Sequence, residues 1–308
     1  MNPLAYVTSA LRGTPRALRE HASNVSSAPC VASGLAMLRT LSKSDAAEAE
    51  DNPIFLLSAG WRAGSTLLQR LIMSDPGVLM WGEPYDECGP VQRMAEMLKA
   101  FRPGWPPNEY YHSGAKPRSG EWVANYFPDA DALRRGHRAF FDAALAQPAR
   151  QAGARRWGLK EVRLGVEHAH YLRWLYPACK LVFLYRNPLE AYQSYCRFGR
   201  NWYDLWPEKP VFTPEAFGRH WRELAAGFLR DAPDLGALVV RYEELVSRSP
   251  QLLERIEGRL EVRLDASVLA QKVGSSERGG EHAHISRLEK NLLRKAVSPL
   301  AEQLGYQW

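Results

Sequence analysis

Cysteine is scarce in this 308-residue sequence. Cys30, Cys88, Cys179 and Cys196 stand far apart, with no C-x-x-C pair and no histidine at zinc-finger spacing. That distribution excludes a disulfide-stapled scaffold and a zinc module. It reads instead as small hydrophobic residues buried in a reducing compartment. No apolar run approaches the ~18 residues that a membrane span requires. Arg12, Arg16 and Arg19 break up the N-terminal stretch before an apolar run of secretory length develops, and the uncharged run from Ala28 to Leu38 is short and deep. The expectation is therefore a cytoplasmic protein with no signal peptide and no integral membrane segment. Solenoid repeats and low-complexity tracts are also missing. Charge imbalance is small: 40 Lys plus Arg against 34 Asp plus Glu leave +6. Such an excess suits an anionic ligand without calling for nucleic acid.

What the sequence does have is apolar substance and a strand–helix rhythm. Ten Trp, thirteen Tyr and ten Phe supply ample area for a core, so the chain is globular. Residues 1–50 read as an N-terminal extension, partly ordered or helical, with no chemistry of its own; 51–308 read as one domain. Ile54–Ser58, Val78–Trp81, Trp157–Glu161, Lys180–Tyr185 and Ala237–Tyr242 are short apolar runs of buried-strand type. Helical patterns separate them, including Ser65–Ser74, Pro90–Phe101 and the segment that Asn187 and Pro188 open as cap and first-turn proline. Strand alternating with helix predicts an α/β fold: a single P-loop-like domain with a central parallel sheet flanked by helices. The Pro/Gly/Trp/Tyr-rich stretch 102–128 is too long and aperiodic to be mere filler and reads as a functional loop.

Ser58-Ala59-Gly60-Trp61-Arg62-Ala63-Gly64-Ser65-Thr66 links a strand to a helix through a glycine-bearing turn. Unpaired N–H groups and the positive end of the helix dipole meet there and form an anion site. Arg62 adds a fixed charge, and the Ser65 and Thr66 hydroxyls add donors. A nucleotide-triphosphatase loop needs four residues between its glycines and a lysine before the serine. This loop has three and no lysine. A second constellation follows: Arg186 ends a buried strand, at the sheet edge where α/β proteins bind ligands, with Ser194 two helical turns further on. Two anion sites at one edge suit a ligand with two separated phosphates.

These residues carry a resemblance. The Gly60–Thr66 loop resembles the 5′-phosphosulfate loop of sulfotransferases that use 3′-phosphoadenosine 5′-phosphosulfate (PAPS). Arg186 with Ser194 resembles their 3′-phosphate site, about 120 residues downstream in the same order. Arg62, where many cytosolic members carry lysine, makes the loop most similar to the tyrosylprotein sulfotransferase branch, although Trp61 departs from the proline usual there. The resemblance spans about Pro53 to Tyr242, with Leu304-Gly305-Tyr306 also family-like. It implies the sulfotransferase fold, PAPS as donor and its bisphosphate product PAP, with no metal. The partners it implies are the nucleotide and a hydroxyl-bearing acceptor; a homodimer is left open.

For the chemistry, the resemblance implies Glu83, in Trp81-Gly82-Glu83-Pro84, as general base. It implies Lys160, in Trp157-Gly158-Leu159-Lys160-Glu161, as the cation stabilising the leaving oxygen. Ala63, Gly64, Ser65 and Thr66 join Arg62 around the phosphosulfate. Tyr242 reads equally as an adenosine contact or a strand-end core residue, while Ser276 and Arg278 are candidates for covering the 3′-phosphate. The loop 102–128 and the Trp202–Trp206 segment are expected to shape the acceptor pocket. His168 and His170 fall inside a helix and read as structural. The rival readings are a nucleotide-dependent kinase and a non-catalytic nucleotide-binding protein.

Overall fold

The central strand β1 (Ile54–Ser58) is buried along its whole length, which its unbroken apolar run requires. In the computed structural model, residues 30–42, 51–102, 104–112, 123–197, 211–270 and 285–308 are described, together with 114, 116 and 120. Five parallel strands form one sheet in the order β2-β3-β1-β4-β5. The others are β2 (Val78–Gly82), β3 (Arg156–Glu161), β4 (Lys180–Tyr185) and β5 (Leu238–Arg241). Helices cover both faces, giving a single α/β domain.

Side-chain alternation sorts the core into two layers. Ile54 and Leu56 join Val182, Leu184 and Val240 beneath α2 (Ser65–Ile72) and a later helix, Pro250–Leu260. Phe55, Leu57, Leu159 and Phe183 face the opposite layer, which holds Trp157, Tyr171, Tyr176 and Trp221. Gly158 lets β3 approach β1 closely, since a Cβ there would stand 2.3 Å from Ile54 O. The N-terminal segment contributes α1 (Val31–Leu41), whose Val31, Leu35 and Leu38 are buried in that second layer.

Beyond β2 come α3 (Pro90–Met97), α4 (Ala130–Phe141), a π-helical segment Asp142–Ala146 and α5 (Gln147–Gln151). Pro148 lacks the N–H that would bond Ala144 O in a regular helix. Carbonyls of this segment instead accept from the end of β2, Trp81 Nε1 to Leu145 O at 3.0 Å and Tyr85 Oη to Ala144 O at 3.3 Å. The remaining helices are α6 (Val166–Leu175), α7 (Pro188–Arg197), α8 (Pro214–Leu235), α9 (Tyr242–Val246), α10 (Pro250–Leu260), α11 (Arg287–Val297) and α12 (Leu300–Gln303). No described helix is long and apolar enough to cross a membrane.

Two expectations need correction. Cys30 and Cys88 are exposed and Cys196 is only half-buried, so Cys179 alone is a buried small hydrophobe. Cys30 caps α1 through its sulfur, which accepts from Ser33 N, and that role keeps it at the surface. The last strand ends at Arg241, so Tyr242 begins α9 rather than closing β5.

Candidate active site

After β1 the chain departs toward β2 on one side, and after β4 it departs toward β5 on the other. The C-terminal ends of these neighbouring strands therefore flank the crevice where an open α/β sheet takes its ligand. The loop Ala59–Gly64 fills one side. Gly60 and Gly64 have φ of 81° and 94°, and Arg62 itself has φ of 64°. The left-handed turn is therefore carried partly by a residue that finds it unfavourable. Gly64 caps α2 without a side chain, so the first-turn N–H groups of Ser65 and Thr66 have no intrahelical acceptor. Ala63 turns into the core, Ser65 is buried and Thr66 is exposed.

The two predicted anion sites are one cluster. Arg62 Nε donates to Ser194 Oγ at 2.9 Å, and Arg186 Nη1 donates to Arg62 O at 3.3 Å. Ser194, grouped with Arg186 by sequence spacing, makes its side-chain hydrogen bond to Arg62 within this cluster, because α7 turns that hydroxyl toward the loop. Arg186 pairs with Glu190 at 2.9 Å and lies 4.3 Å over the Tyr242 ring. That ring is packed on Gly64 so closely that a Cβ there would meet it at 2.2 Å. Burial, then the charges of Arg186 and Arg197, depress the Arg62 guanidinium below its ordinary value. A site that crowds three cations favours an anion. Asn187 Oδ1 accepts from Leu189 N at 2.9 Å as the expected cap.

Glu83 and Lys160 meet at the ends of adjacent strands. Glu83 follows β2 with φ of 45°, its N–H bonded to Lys160 O at 2.8 Å. Its carboxylate forms an ion pair with Lys160 Nζ. The Lys160 side chain is 6% exposed and that of Glu83 24%, so the pair sits in a medium that strengthens it. Glu161 points the other way, is 2% exposed, and leaves Oε2 without a partner among the described residues. Burial and then the nearby Glu83 charge push its carboxyl up to about 7, against the pull of Arg163 and Lys160.

One residue escaped sequence reasoning. Arg163 lies 3.5 Å from the second Glu83 oxygen, pairs with Asp86, and stacks 5.4 Å over the Trp61 ring. It ties the loop after β1 to the carboxylate after β2. Its position just beyond a strand end, two residues after Glu161, was the available signal. Trp61, where a proline was expected by resemblance, has its place here as the ring under Arg163.

The other candidates are peripheral or undescribed. His168 Nδ1 accepts from Gly165 N at 3.1 Å, and His170 Nε2 bonds Asp231 at 2.8 Å, so both serve structure. Tyr306 Oη donates to Glu243 Oε2 at 3.0 Å, and Glu243 Oε1 accepts from Asn187 N at 2.8 Å. The family-like C-terminal segment therefore braces the start of α7. Ser276, Arg278 and the Trp202–Trp206 segment lie outside the described residues. Among the described residues, no three His, Cys, Asp or Glu side chains gather as a metal site.

A family model described as the sulfotransferase family matches residues 53–266. No curated protein matches the sequence. Among solved structures, the sulfotransferase domain of the Synechococcus PCC 7002 olefin synthase is similar at 20% identity and TM-score 0.42, over 87% of this chain and 98% of that one. The sulfotransferase domain from the curacin biosynthetic pathway gives 18% identity and TM-score 0.48, over 84% and 99%. Sulfotransferase STF9 from Mycobacterium avium gives 17% and 0.42, over 83% and 76%.

Proposed function

Because this chain belongs to the sulfotransferase family, we propose that it moves a sulfonate group from PAPS to an acceptor hydroxyl, with Glu83 as base. The observation that carries this reading is the placing of two unlike charge clusters along one sheet edge. Arg62, Arg186 and Ser194 form a cation-rich pocket beside β1 and β4, and the Glu83–Lys160 pair stands beside β2 and β3. Arg163 and Trp61 connect them.

In the proposed reaction an acceptor oxygen forms a bond to sulfur as the bond from sulfur to the bridging phosphate oxygen breaks. The bonding pair stays on that oxygen, and PAP departs. Glu83 takes the acceptor proton, while Lys160 covers the charge developing on the leaving oxygen. Arg163 keeps the second Glu83 oxygen engaged and so fixes the carboxylate plane. Arg62 and the α2 N-terminus hold the phosphosulfate; Arg186 and Ser194 hold the 3′-phosphate. The ring of Tyr242, which packs between Gly64 and Arg186, meets the adenosine in this reading. Arginine in the loop and a Gly-Glu pair after the second strand also support the likeness to the tyrosylprotein branch. That likeness leaves the acceptor class open, because one base geometry serves many hydroxyls.

The donor half is tested by titration calorimetry with PAP. The reading expects one site, weakened about tenfold or more by Arg62→Ala and by Arg186→Ala, consistent with the loss of one charge-assisted contact. No binding of PAP by the folded wild type would overturn it.

A further inference from the structure

A cavity of about 400 Å³ lies beside α4, lined by Phe101, Tyr111, Phe127, Leu133, Gly136 and His137 among others. None of the described candidate nucleotide or catalytic residues lines it. Its size is that of a small-molecule site, and its wall is largely apolar, with the rings of Phe101, Tyr111 and Phe127 in it. Tyr111 and Phe127 meet edge to face at 6.0 Å, which leaves ring surface for an occupant.

The helix α4 is built to leave this space open. Its N-cap Asp129 and then Ala132, Leu133, Gly136 and His137 recur at three- and four-residue intervals and line the cavity. Glycine in a helix interior is unfavourable by ~0.5–1 kcal/mol relative to alanine. Gly136 nevertheless sits mid-helix, and a Cβ there would meet nothing within 4 Å. Packing therefore does not require it, and its effect is to keep the cavity wide at that point. Two lining residues also hold a buried polar atom with no partner among the described residues, Tyr111 Oη and His137 Nε2. His137 is already bound through Nδ1 to Tyr171 Oη at 2.9 Å, which leaves Nε2 as its remaining hydrogen-bonding atom. Burial pushes the imidazole down and the phenol up, so both are neutral at pH 7. The one carboxylate among the described lining residues, Asp129, caps α4 through Ala132 N and pairs with Arg135. Among the described residues, no lysine or arginine lines the cavity.

We propose that this cavity, walled in part by the 102–128 stretch, is a binding site for an uncharged aromatic molecule carrying one hydrogen-bonding group. The probe is N-phenyl-1-naphthylamine, a neutral diaryl amine whose fluorescence rises in apolar surroundings. The full-length protein is expected to bind it saturably at one site. Gly136→Leu places a side chain in the opening, and Ala132→Phe narrows the same face one turn away. Each is expected to weaken the probe about tenfold or more, a change of about 1.4 kcal/mol or more. Gly136→Leu should also unfold at an equal or higher denaturant concentration, since leucine replaces glycine in a helix. That separates blocked binding from misfolding. Unsaturable fluorescence in the wild type, or unchanged affinity in both folded variants, would overturn the proposal.

Discussion

Replacing Gly64 with alanine attacks the proposed nucleotide pocket where Tyr242 packs on the loop backbone. Two costs are legible in the structure. The backbone there has φ of 94°, which an L-residue adopts at a cost of ~1–2 kcal/mol. The new Cβ would also stand 2.2 Å from Tyr242 Cδ2, and relieving such overpacking costs ~1–3 kcal/mol. Together Gly64→Ala should destabilise the fold by about 2–5 kcal/mol, read from urea unfolding. Moving the ring also disturbs its stacking with Arg186, so PAP affinity should fall in the same variant. A double-mutant cycle with Tyr242→Ala separates the two costs. Without the ring, Gly64→Ala should retain only the backbone part, ~1–2 kcal/mol. If it cost the same in both backgrounds, the packing of Tyr242 on Gly64 would not be the constraint argued for here.

Lys160→Met should lower kcat by about 10²–10³, the usual consequence of losing one donor to a developing oxyanion. Its PAP affinity should change little, and steady-state kinetics with calorimetry would check both. Glu161 gives a pH signature: its carboxyl is pushed from 4.5 up to about 7, so the folded state binds the proton more tightly than the unfolded chain. Stability from this group is present below pH ~4.5 and is lost as pH rises through about 7, on the order of 3 kcal/mol by linkage. Glu161→Gln should flatten that part of the stability profile in urea unfolding at stepped pH and gain relative to wild type above pH 7.

Much of the fold was legible because its strands are buried on both faces. Lys180–Tyr185 emerges with the bounds read from its apolar run, and Ile54–Ser58 likewise. Tyr242 was misplaced by one element because its ring extends the strand-like run past Arg241, the extended cap residue after which the backbone turns helical. The acidic pair Glu243 and Glu244 in the first turn of α9 was the local sign of that switch. Spacing grouped Ser194 with Arg186, whereas its hydrogen bond goes to Arg62, since helix rotation decides which arginine it meets. Glu83 and Lys160 were each visible as strand-end residues. Their pairing follows from β2 and β3 being neighbours, a fact of sheet order. Arg163 went unseen because an arginine two residues beyond a strand end is ordinary until its partners are known. The N-terminal run from Val31 looked inert, yet its periodic apolar residues Val31, Leu35 and Leu38 complete one core layer.

The central claim is that Glu83 removes a proton from an acceptor during sulfonate transfer. The most direct measurement follows labelled sulfonate from PAPS onto a panel comprising 4-nitrophenol, a tyrosine-containing peptide and an oligosaccharide, comparing wild type with Glu83→Gln. The account predicts transfer to at least one acceptor by wild type. It also predicts a fall of about 10²–10⁴ in kcat for the variant, the range expected for a lost general base, with PAP binding retained. Turnover by Glu83→Gln at the wild-type rate would contradict it.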